Sequence, residues 1–120
     1  MKIGQLAVVA GVSTSQIRFY EKQGLVPPAT RLENGYRDYP DEMVSRLRTI
    51  TMSKSLGFTL SEIKKFLPDD PGDLIARGDV IEILQAKLFN VDQQMEELKQ
   101  IRHKIGEMIA YFQKPDTPGC

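Results

Sequence analysis

The sequence predicts a mainly α-helical protein in which a small helix-turn-helix domain with a hairpin wing precedes one long coiled-coil helix. Three observations indicate this class. Two Ser/Thr capping motifs open short helices in the first part of the chain, an Asn-Gly pair lies between them, and an apolar 4-3 repeat fills the last third. We expect a domain at 1–67, a connecting loop at 68–78, a long helix at 79–112 and a flexible tail at 113–120.

The composition is that of an ordinary globular protein, with 41% hydrophobic and 27% charged residues in a chain of 120. No apolar run approaches the roughly 20 residues that a membrane helix needs. The first residues lack the apolar stretch of a signal peptide. One cysteine, Cys120, cannot form a disulfide within the chain. We therefore expect a cytoplasmic protein that has no contact with a membrane.

The net charge of zero conceals an asymmetry between the two parts of the chain. Residues 1–66 contain ten Lys or Arg and six Asp or Glu, whereas residues 67–120 contain six and ten. An excess of four positive charges is modest, but it marks the first part as the one suited to a polyanion.

The first two helices carry clear sequence signals. Four apolar residues at helical spacing predict a helix over 3–11: Ile3, Leu6, Ala7 and Ala10. Ser13 and Gln16 form a capping box that opens a second helix, which ends at Gly24 before two prolines. Two short helices joined by a turn that contains Gly11 are typical of a helix-turn-helix.

A hairpin is expected next, at the pair Asn34-Gly35. Both central residues of a type I′ turn need positive φ, which Asn and Gly adopt most easily. A hairpin directly after a helix-turn-helix would form a wing. A surface turn without strands is the alternative reading of the same pair.

Two further helices complete the predicted domain. A third helix over 41–55 would bury an inner face of five residues: Met43, Val44, Leu47, Ile50 and Thr51. Thr59 and Glu62 form a second capping box, and the fourth helix that they open stops before Pro68.

The long helix shows the most regular pattern in the chain. Its 4-3 repeat, interrupted only by Arg102, predicts a dimerisation seam made of Leu84, Leu88, Val91, Met95, Leu98, Ile105, Ile109 and Phe112. From Val80 to Phe112 the helix would extend about 50 Å at 1.5 Å per residue. No second helix of comparable length is available for an intramolecular hairpin, so the stripe predicts a homodimer.

Polar and aromatic side chains of the second helix and the wing are candidates for binding a polyanion. On the helix they are Ser13, Thr14, Ser15, Gln16, Arg18, Phe19 and Tyr20; on the wing they are Arg31, Asn34, Gly35, Tyr36, Arg37 and Tyr39. Arg18 can bind a guanine edge or a phosphate, or it can be a solvated surface arginine. Phe19 and Tyr20 can pack inward or, through the phenol, reach a phosphate.

Several ordered motifs resemble the MerR family of bacterial transcriptional regulators. They are Met1–Ala7, Gly11–Ser13, Ile17–Glu21, Gly24–Val26, Asn34–Tyr39 and Leu56–Leu60. The resemblance covers residues 1–67, and the long helix is similar to the antiparallel dimerisation helix of the family. It implies a winged helix-turn-helix that binds palindromic, double-stranded promoter DNA as a homodimer. It also implies bending and untwisting of that DNA, through which RNA polymerase is affected indirectly.

Departures from the family pattern concern metal binding. Family metal sensors carry cysteines at the start of the dimerisation helix and in a loop after it. The corresponding positions here fall near Arg77, Phe112 and Cys120, so only one is a thiol. The one histidine, His103, lies in the middle of the helix and is expected to be solvated. We therefore predict no metal site and no cofactor.

Three modes of regulation stay open at this point: a thiol sensor through Cys120, a sensor of a small molecule, and regulation that needs no effector.

A protein-interaction module built on the long helix is the alternative from another functional class. An enzyme is not expected, because no paired carboxylates, nucleophile set or phosphate-binding glycine loop can be assembled from the sequence.

Overall fold

A computed structural model describes residues 1–115 of the chain. In order, its elements are α1 (Ile3–Ala10), α2 (Thr14–Lys22), β1 (Thr30–Arg31), β2 (Arg37–Asp38), α3 (Glu42–Ser55), α4 (Leu60–Phe66) and α5 (Arg77–Gln113). The chain divides into two compact units, Met1–Ala76 and a second unit that begins at Arg77 with α5. The predicted fold class, mainly helical with a small wing, is confirmed.

The turn between α1 and α2 forms as its sequence predicts. Gly11 ends α1 at a left-handed φ of 73°, and its N–H donates to the Ala7 carbonyl. The Ser13 hydroxyl oxygen accepts a hydrogen bond from the Gln16 N–H at 3.0 Å, and the Gln16 Oε1 accepts one from the Ser13 N–H at 3.0 Å. This capping box fixes the start of α2, because it satisfies two backbone donors that have no partner within the helix.

The wing is a two-stranded antiparallel hairpin. Thr30 lies opposite Asp38, and Arg31 lies opposite Arg37. The predicted hairpin is therefore present, and the reading as a turn without strands is wrong.

The predicted type of hairpin turn is also wrong. Gly35 has a φ of 82°, whereas no residue other than glycine has a positive φ between residues 1 and 115, so Asn34 does not adopt the type I′ conformation. The Gly35 N–H donates to the Leu32 carbonyl at 2.9 Å, and the Leu32 N–H donates to the Tyr36 carbonyl at 2.8 Å. These bonds define a three-residue loop with glycine in the left-handed position. Asn34 instead accepts the Tyr36 N–H through Oδ1 at 3.1 Å.

The core of the first unit lies among its four helices and the segments between them. α1 packs against α2 and α3, and α3 packs against α4. The large side chains that are fully buried are Leu6, Ile17, Leu25, Tyr39, Met43, Leu47, Ile50 and Ile63. Helical spacing therefore identified most of the inner face of α3.

Two positions on α3 differ from the predicted inner face. Thr51 is exposed, and its hydroxyl donates to the Leu47 carbonyl of its own helix at 2.9 Å. Val44 is half-buried, whereas Arg46 and Ser53 are buried. A helix packed on two sides buries a wider arc than an apolar pattern alone shows.

Arg46 joins three segments of the domain. Its Nε donates to the Leu25 carbonyl at 2.6 Å and its Nη1 donates to the Pro68 carbonyl at 2.6 Å. Burial lowers the pKa of Arg46, and the nearby Asp69 carboxylate raises it. The guanidinium thus connects α3 to the chain after α2 and to the chain after α4.

The second capping box is present as well. The Thr59 Oγ1 accepts the Glu62 N–H at 3.1 Å, and the Glu62 Oε1 accepts the Thr59 N–H at 2.9 Å. α4 then ends at Phe66, before Pro68 as predicted.

The long helix starts earlier than the sequence indicated. α5 begins at Arg77 instead of residue 79, so the connecting loop ends at Ala76. Of the tail expected at 113–120, Gln113 belongs to α5, and residues 116–120, Cys120 included, lie outside the described residues. Among residues 1–115, no helix is long and apolar enough to cross a membrane.

Candidate nucleic-acid interface

α2 presents a polar face to solvent. Its exposed side chains include Ser15, Gln16, Arg18 and Phe19, of which Phe19 is 46% exposed. Arg18 has no hydrogen bond or ion pair within residues 1–115. Its guanidinium donors are therefore available to an external acceptor, and an arginine fork matches both a guanine edge and a phosphate.

The first residues of α2 also have a structural task. Ser13 and Gln16 are exposed, but one oxygen of each accepts a capping-box hydrogen bond. The Ser13 hydroxyl proton and the Gln16 amide N–H groups are still able to donate to an acceptor outside the domain. Thr14 is half-buried at the first position of the helix.

The opposite face of α2 lies in the core. Ile17 is fully buried and Tyr20 is 6% exposed. The Tyr20 ring packs 5.9 Å from the exposed Phe19 ring, measured between centroids. The Tyr20 ring therefore packs inward, which is one of its two readings, whereas its place among the DNA-binding residues stays a prediction.

Two arginines stand opposite each other on the wing. Arg31 and Arg37 are direct cross-strand partners, and both are exposed. Directly opposed residues of an antiparallel pair project from the same face of the sheet, where like charges repel. Within a chain of zero net charge, this pair forms a local positive site at the edge of the domain.

The wing turn lies next to the start of the chain. The Lys2 ammonium nitrogen is 4.6 Å from the centroid of the Tyr36 ring, and Tyr36 is 56% exposed. Such a cation–π contact restrains the tyrosine and adds a third cation to the wing. Sequence spacing gave no sign of this contact, because the two residues are far apart in the chain.

The base of the wing is tied to the first residue. The Met1 ammonium donates to the Tyr39 carbonyl at 2.6 Å and to Asp38 Oδ1 at 2.9 Å. In return, the Tyr39 N–H donates to the Met1 carbonyl at 2.8 Å. These bonds hold the start of the chain beside the end of β2.

Tyr39 is a core residue, with a side chain that is 1% exposed. Its predicted place among the contact residues is therefore corrected, because a buried phenol cannot reach a phosphate. Neither its Oη nor Glu21 Oε1 has a hydrogen bond of good geometry within residues 1–115. Burial raises the pKa of Tyr39, the neighbouring Glu21 carboxylate raises it further, and Arg37 lowers it. Tyr39 thus places the wing against α2.

The remaining predicted wing residues form the turn itself. Asn34 and Gly35 are exposed, and they set the position of Tyr36 through the bonds described above. Ten of the thirteen predicted contact residues are exposed on α2, its N-cap and the wing; Thr14, Tyr20 and Tyr39 are not.

Metal-ligating side chains are not clustered in the described part of the second unit. No group of three or more His, Cys, Asp or Glu side chains that could hold a metal ion occurs within residues 1–115. His103 Nε2 lies 2.8 Å from Glu107 Oε1, one turn along α5, and their side chains are 75% and 66% exposed. This is the geometry of a solvated helix pair.

Comparisons with known proteins find matches that together cover the whole chain. A family model described as MerR HTH family regulatory protein matches residues 1–70, and one described as MerR, DNA binding matches residues 44–108. The chain is 34% identical over 120 residues to the HTH-type transcriptional regulator HmrR of Rhizobium leguminosarum bv. viciae, covering all of this chain and 92% of that protein.

Two solved structures have the same fold. The transcription regulator PbrR691 from Ralstonia metallidurans CH34, in complex with lead(II), aligns with a TM-score of 0.76 at 29% identity, covering 92% of this chain and 87% of that one. HiNmlR, a MerR family regulator lacking the sensor domain and bound to promoter DNA, aligns with a TM-score of 0.60 at 27% identity, covering 95% and 86%. The chain belongs to the MerR family of helix-turn-helix transcriptional regulators.

Proposed function

We propose that this protein regulates transcription by binding a two-fold symmetric promoter site as a homodimer. One observation carries the proposal: Arg31 and Arg37 lie directly opposite each other on an exposed wing, in the unit that also holds the polar face of α2. A pair of like charges in this position raises the free energy of the isolated hairpin. Phosphates between or beside the two guanidiniums convert the repulsion into attraction.

The two parts of the interface have different tasks in this proposal. α2 enters the major groove, where Arg18, Ser15 and Gln16 face base edges and phosphates. The wing binds the sugar-phosphate backbone through its arginines and Tyr36, which sets orientation and carries little sequence information. Tyr20 and Tyr39 contribute by packing, since they hold α2 and the wing in place.

Dimerisation is the second part of the proposal. No residue of α5 is buried within the single chain, and Leu84, Leu88 and Leu98 of its apolar stripe are 43%, 61% and 64% exposed. A stripe of this length is typical of a coiled-coil seam. Two copies joined along α5 supply the two DNA-binding units that a palindromic site requires.

The family resemblance extends the proposal to mechanism. The bound dimer bends and untwists the promoter, so that RNA polymerase can contact both promoter elements. This role requires binding and DNA deformation and no catalysis. It is carried out in the bacterial cytoplasm, where promoter DNA is found.

DNA titrations test the proposal. We expect wild-type protein to prefer a duplex with a symmetric site over an unrelated duplex, with an affinity that falls as salt rises. Arg18→Ala should cost about 1–3 kcal/mol per half-site, whereas Lys104→Ala, an exposed cation on α5, should leave binding unchanged. Equal affinity for both duplexes contradicts sequence-specific regulation, and an absence of salt-sensitive binding favours a protein-interaction module.

Sedimentation tests the homodimer. Leu88→Asp combined with Leu98→Asp places charges in the seam and should give monomers. Gln93→Asp combined with Gln100→Asp makes a similar change on the opposite face of α5 and should leave the dimer intact. A wild-type monomer, or a dimer that persists with Asp at 88 and 98, contradicts the proposal.

A further inference from the structure

The first residues of the chain lie along the wing. The Tyr39 N–H donates to the Met1 carbonyl at 2.8 Å, and the Met1 ammonium donates to Asp38 Oδ1 at 2.9 Å. Lys2 follows directly and is the N-cap residue of α1, with an extended backbone at a φ of −76° and a ψ of 158°. The backbone of Lys2 is therefore held beside the end of β2, although Lys2 precedes α1 in the chain.

The side chain of Lys2 extends over the wing turn. Its ammonium nitrogen lies 4.6 Å from the centroid of the Tyr36 ring. Lys2 is exposed, and apart from this ring contact its side chain has no hydrogen bond or ion pair within residues 1–115. The ring restrains the ammonium group without using all of its N–H donors, so the others can donate to an acceptor outside the domain.

Tyr36 is itself held in place by its backbone. Its N–H donates to Asn34 Oδ1 at 3.1 Å, and its carbonyl accepts the Leu32 N–H at 2.8 Å. The side chain is nevertheless 56% exposed. The phenol hydroxyl can therefore donate to an external acceptor from a restrained position.

We propose that Lys2 binds the DNA backbone, and that its ammonium group and the Tyr36 hydroxyl donate to the same phosphate. This inference rests on the DNA-binding function proposed above and adds a residue to the contacts of the wing. With the ammonium above the ring, its nitrogen lies about 5–6 Å from the phenol oxygen, which two hydrogen bonds of about 2.8 Å to one phosphate group can span. The cation–π contact holds both donors together in the free protein, so less side-chain entropy is lost on binding.

The charges on the wing favour an anion at this place. Arg31 and Arg37 are exposed on the same hairpin, and Lys2 adds a further cation. The carboxylate of Asp38 is paired with the ammonium group of the first residue, so its charge is compensated within the fold. Glu33 is an exposed carboxylate of the turn and is outnumbered by the three cations. Each added cation on such a surface increases the number of phosphates that it can neutralise.

The alternative task of Lys2 is to support the turn by covering one face of the Tyr36 ring. The two tasks differ in their dependence on salt. A cation that neutralises a phosphate contributes to the slope of log K against log salt. A lysine that only packs on a ring contributes to the stability of the free protein and leaves that slope unchanged.

Salt titrations of two variants of the 120-residue chain test the inference. Lys2→Gln removes one cation from each protomer of the bound dimer, so the slope should become shallower by about 1.8. If the contact contributes nothing at 1 M salt, the affinity for specific and unrelated duplexes should fall about 30-fold at 0.15 M. Lys2→Arg keeps a cation that can lie over the ring and should bind within about threefold of the wild type. Lys104→Gln, the control, removes an exposed cation of α5 and should change neither quantity.

Two results of these titrations overturn the inference. An unchanged slope in Lys2→Gln does so, and a lower urea midpoint in that variant would then assign Lys2 to support of the turn. A loss of affinity as large in Lys2→Arg as in Lys2→Gln also does so, because the positive charge is then not what the DNA binds. Both results leave the proposed function standing, which fails instead if the wild type shows no salt-sensitive preference for the symmetric duplex.

A double-mutant cycle tests whether Lys2 and Tyr36 share one phosphate. Tyr36→Phe keeps the ring and the cation–π contact and removes the hydroxyl. It should weaken binding at least about threefold in the wild-type background and clearly less in the Lys2→Gln background, since two donors to one phosphate depend on each other. Equal losses of affinity in the two backgrounds overturn the shared phosphate.

Discussion

Replacement of Arg31 by Gln should weaken DNA binding while leaving the fold intact or slightly more stable. Arg31 is exposed and faces Arg37 across the hairpin. Within the free protein this pair is repulsive. If the two guanidiniums are about 6 Å apart, Coulomb's law in water gives about 0.7 kcal/mol, which salt screening reduces to about 0.3 kcal/mol. The variant should recover that amount of folding free energy.

The effect on DNA binding should be larger and of opposite sign. A dimer has two wings, so the variant loses two phosphate contacts, and the slope of log K against log salt should become shallower by about 1.8. If the contacts contribute nothing at 1 M salt, the affinity loss is about 30-fold at 0.15 M and about 9-fold at 0.3 M. The loss should be the same for specific and unrelated duplexes, because phosphates carry no sequence information.

Two measurements check this reasoning. Titrations of both duplexes at four or more salt concentrations give the slope, and urea unfolding gives the stability; Lys104→Gln serves as a control that removes one exposed cation from α5. A destabilisation above about 1 kcal/mol together with an unchanged salt slope would refute a phosphate-binding role for Arg31. It would show that the arginine supports the hairpin instead.

Substitutions at three further positions test the fold around the interface. Arg46→Met should reduce the free energy of unfolding by about 2–4 kcal/mol, because the buried Leu25 carbonyl and the half-buried Pro68 carbonyl lose their donor. Arg46→Lys should restore little of this loss, since one ammonium cannot reach both carbonyls. Urea titration measures each variant. Gly35→Ala should cost about 1–2 kcal/mol, since residue 35 has a φ of 82°, and should weaken binding to all duplexes. Tyr39→Phe should be at least as thermally stable as the wild type, because the hydroxyl has no hydrogen bond of good geometry. Tyr39→Ala should lose about 3–5 kcal/mol of the free energy of unfolding, because it leaves a cavity in the core.

Local features of this chain were predictable because their partners are close in sequence. Each capping box joins residues three positions apart, so Ser13 with Gln16 and Thr59 with Glu62 could be identified from residue type and spacing. The hairpin at Gly35 was predictable for the same reason. Its turn type was not, because a two-residue and a three-residue loop differ only in which backbone groups pair.

Contacts between residues that are far apart in the sequence were not predicted. Arg46 reaches carbonyls 21 and 22 residues away, and an arginine within a helical pattern reads as a solvent-exposed residue. Lys2 reaches Tyr36 only because the hairpin folds back beside the start of the chain. Such contacts depend on how elements pack, which residue type and spacing do not show.

The tyrosines show why a motif is not the same as a contact surface. Tyr20, Tyr36 and Tyr39 all belong to segments that resemble the family, yet only Tyr36 is exposed. A DNA-binding domain needs side chains that touch DNA and others that hold those in position, and both kinds recur in its motifs. Burial separates them here: Tyr36 and Arg37 are exposed, whereas Tyr39, the residue after β2, is buried and anchors the wing. The proposed interface therefore consists of a few exposed cations that buried rings hold in position.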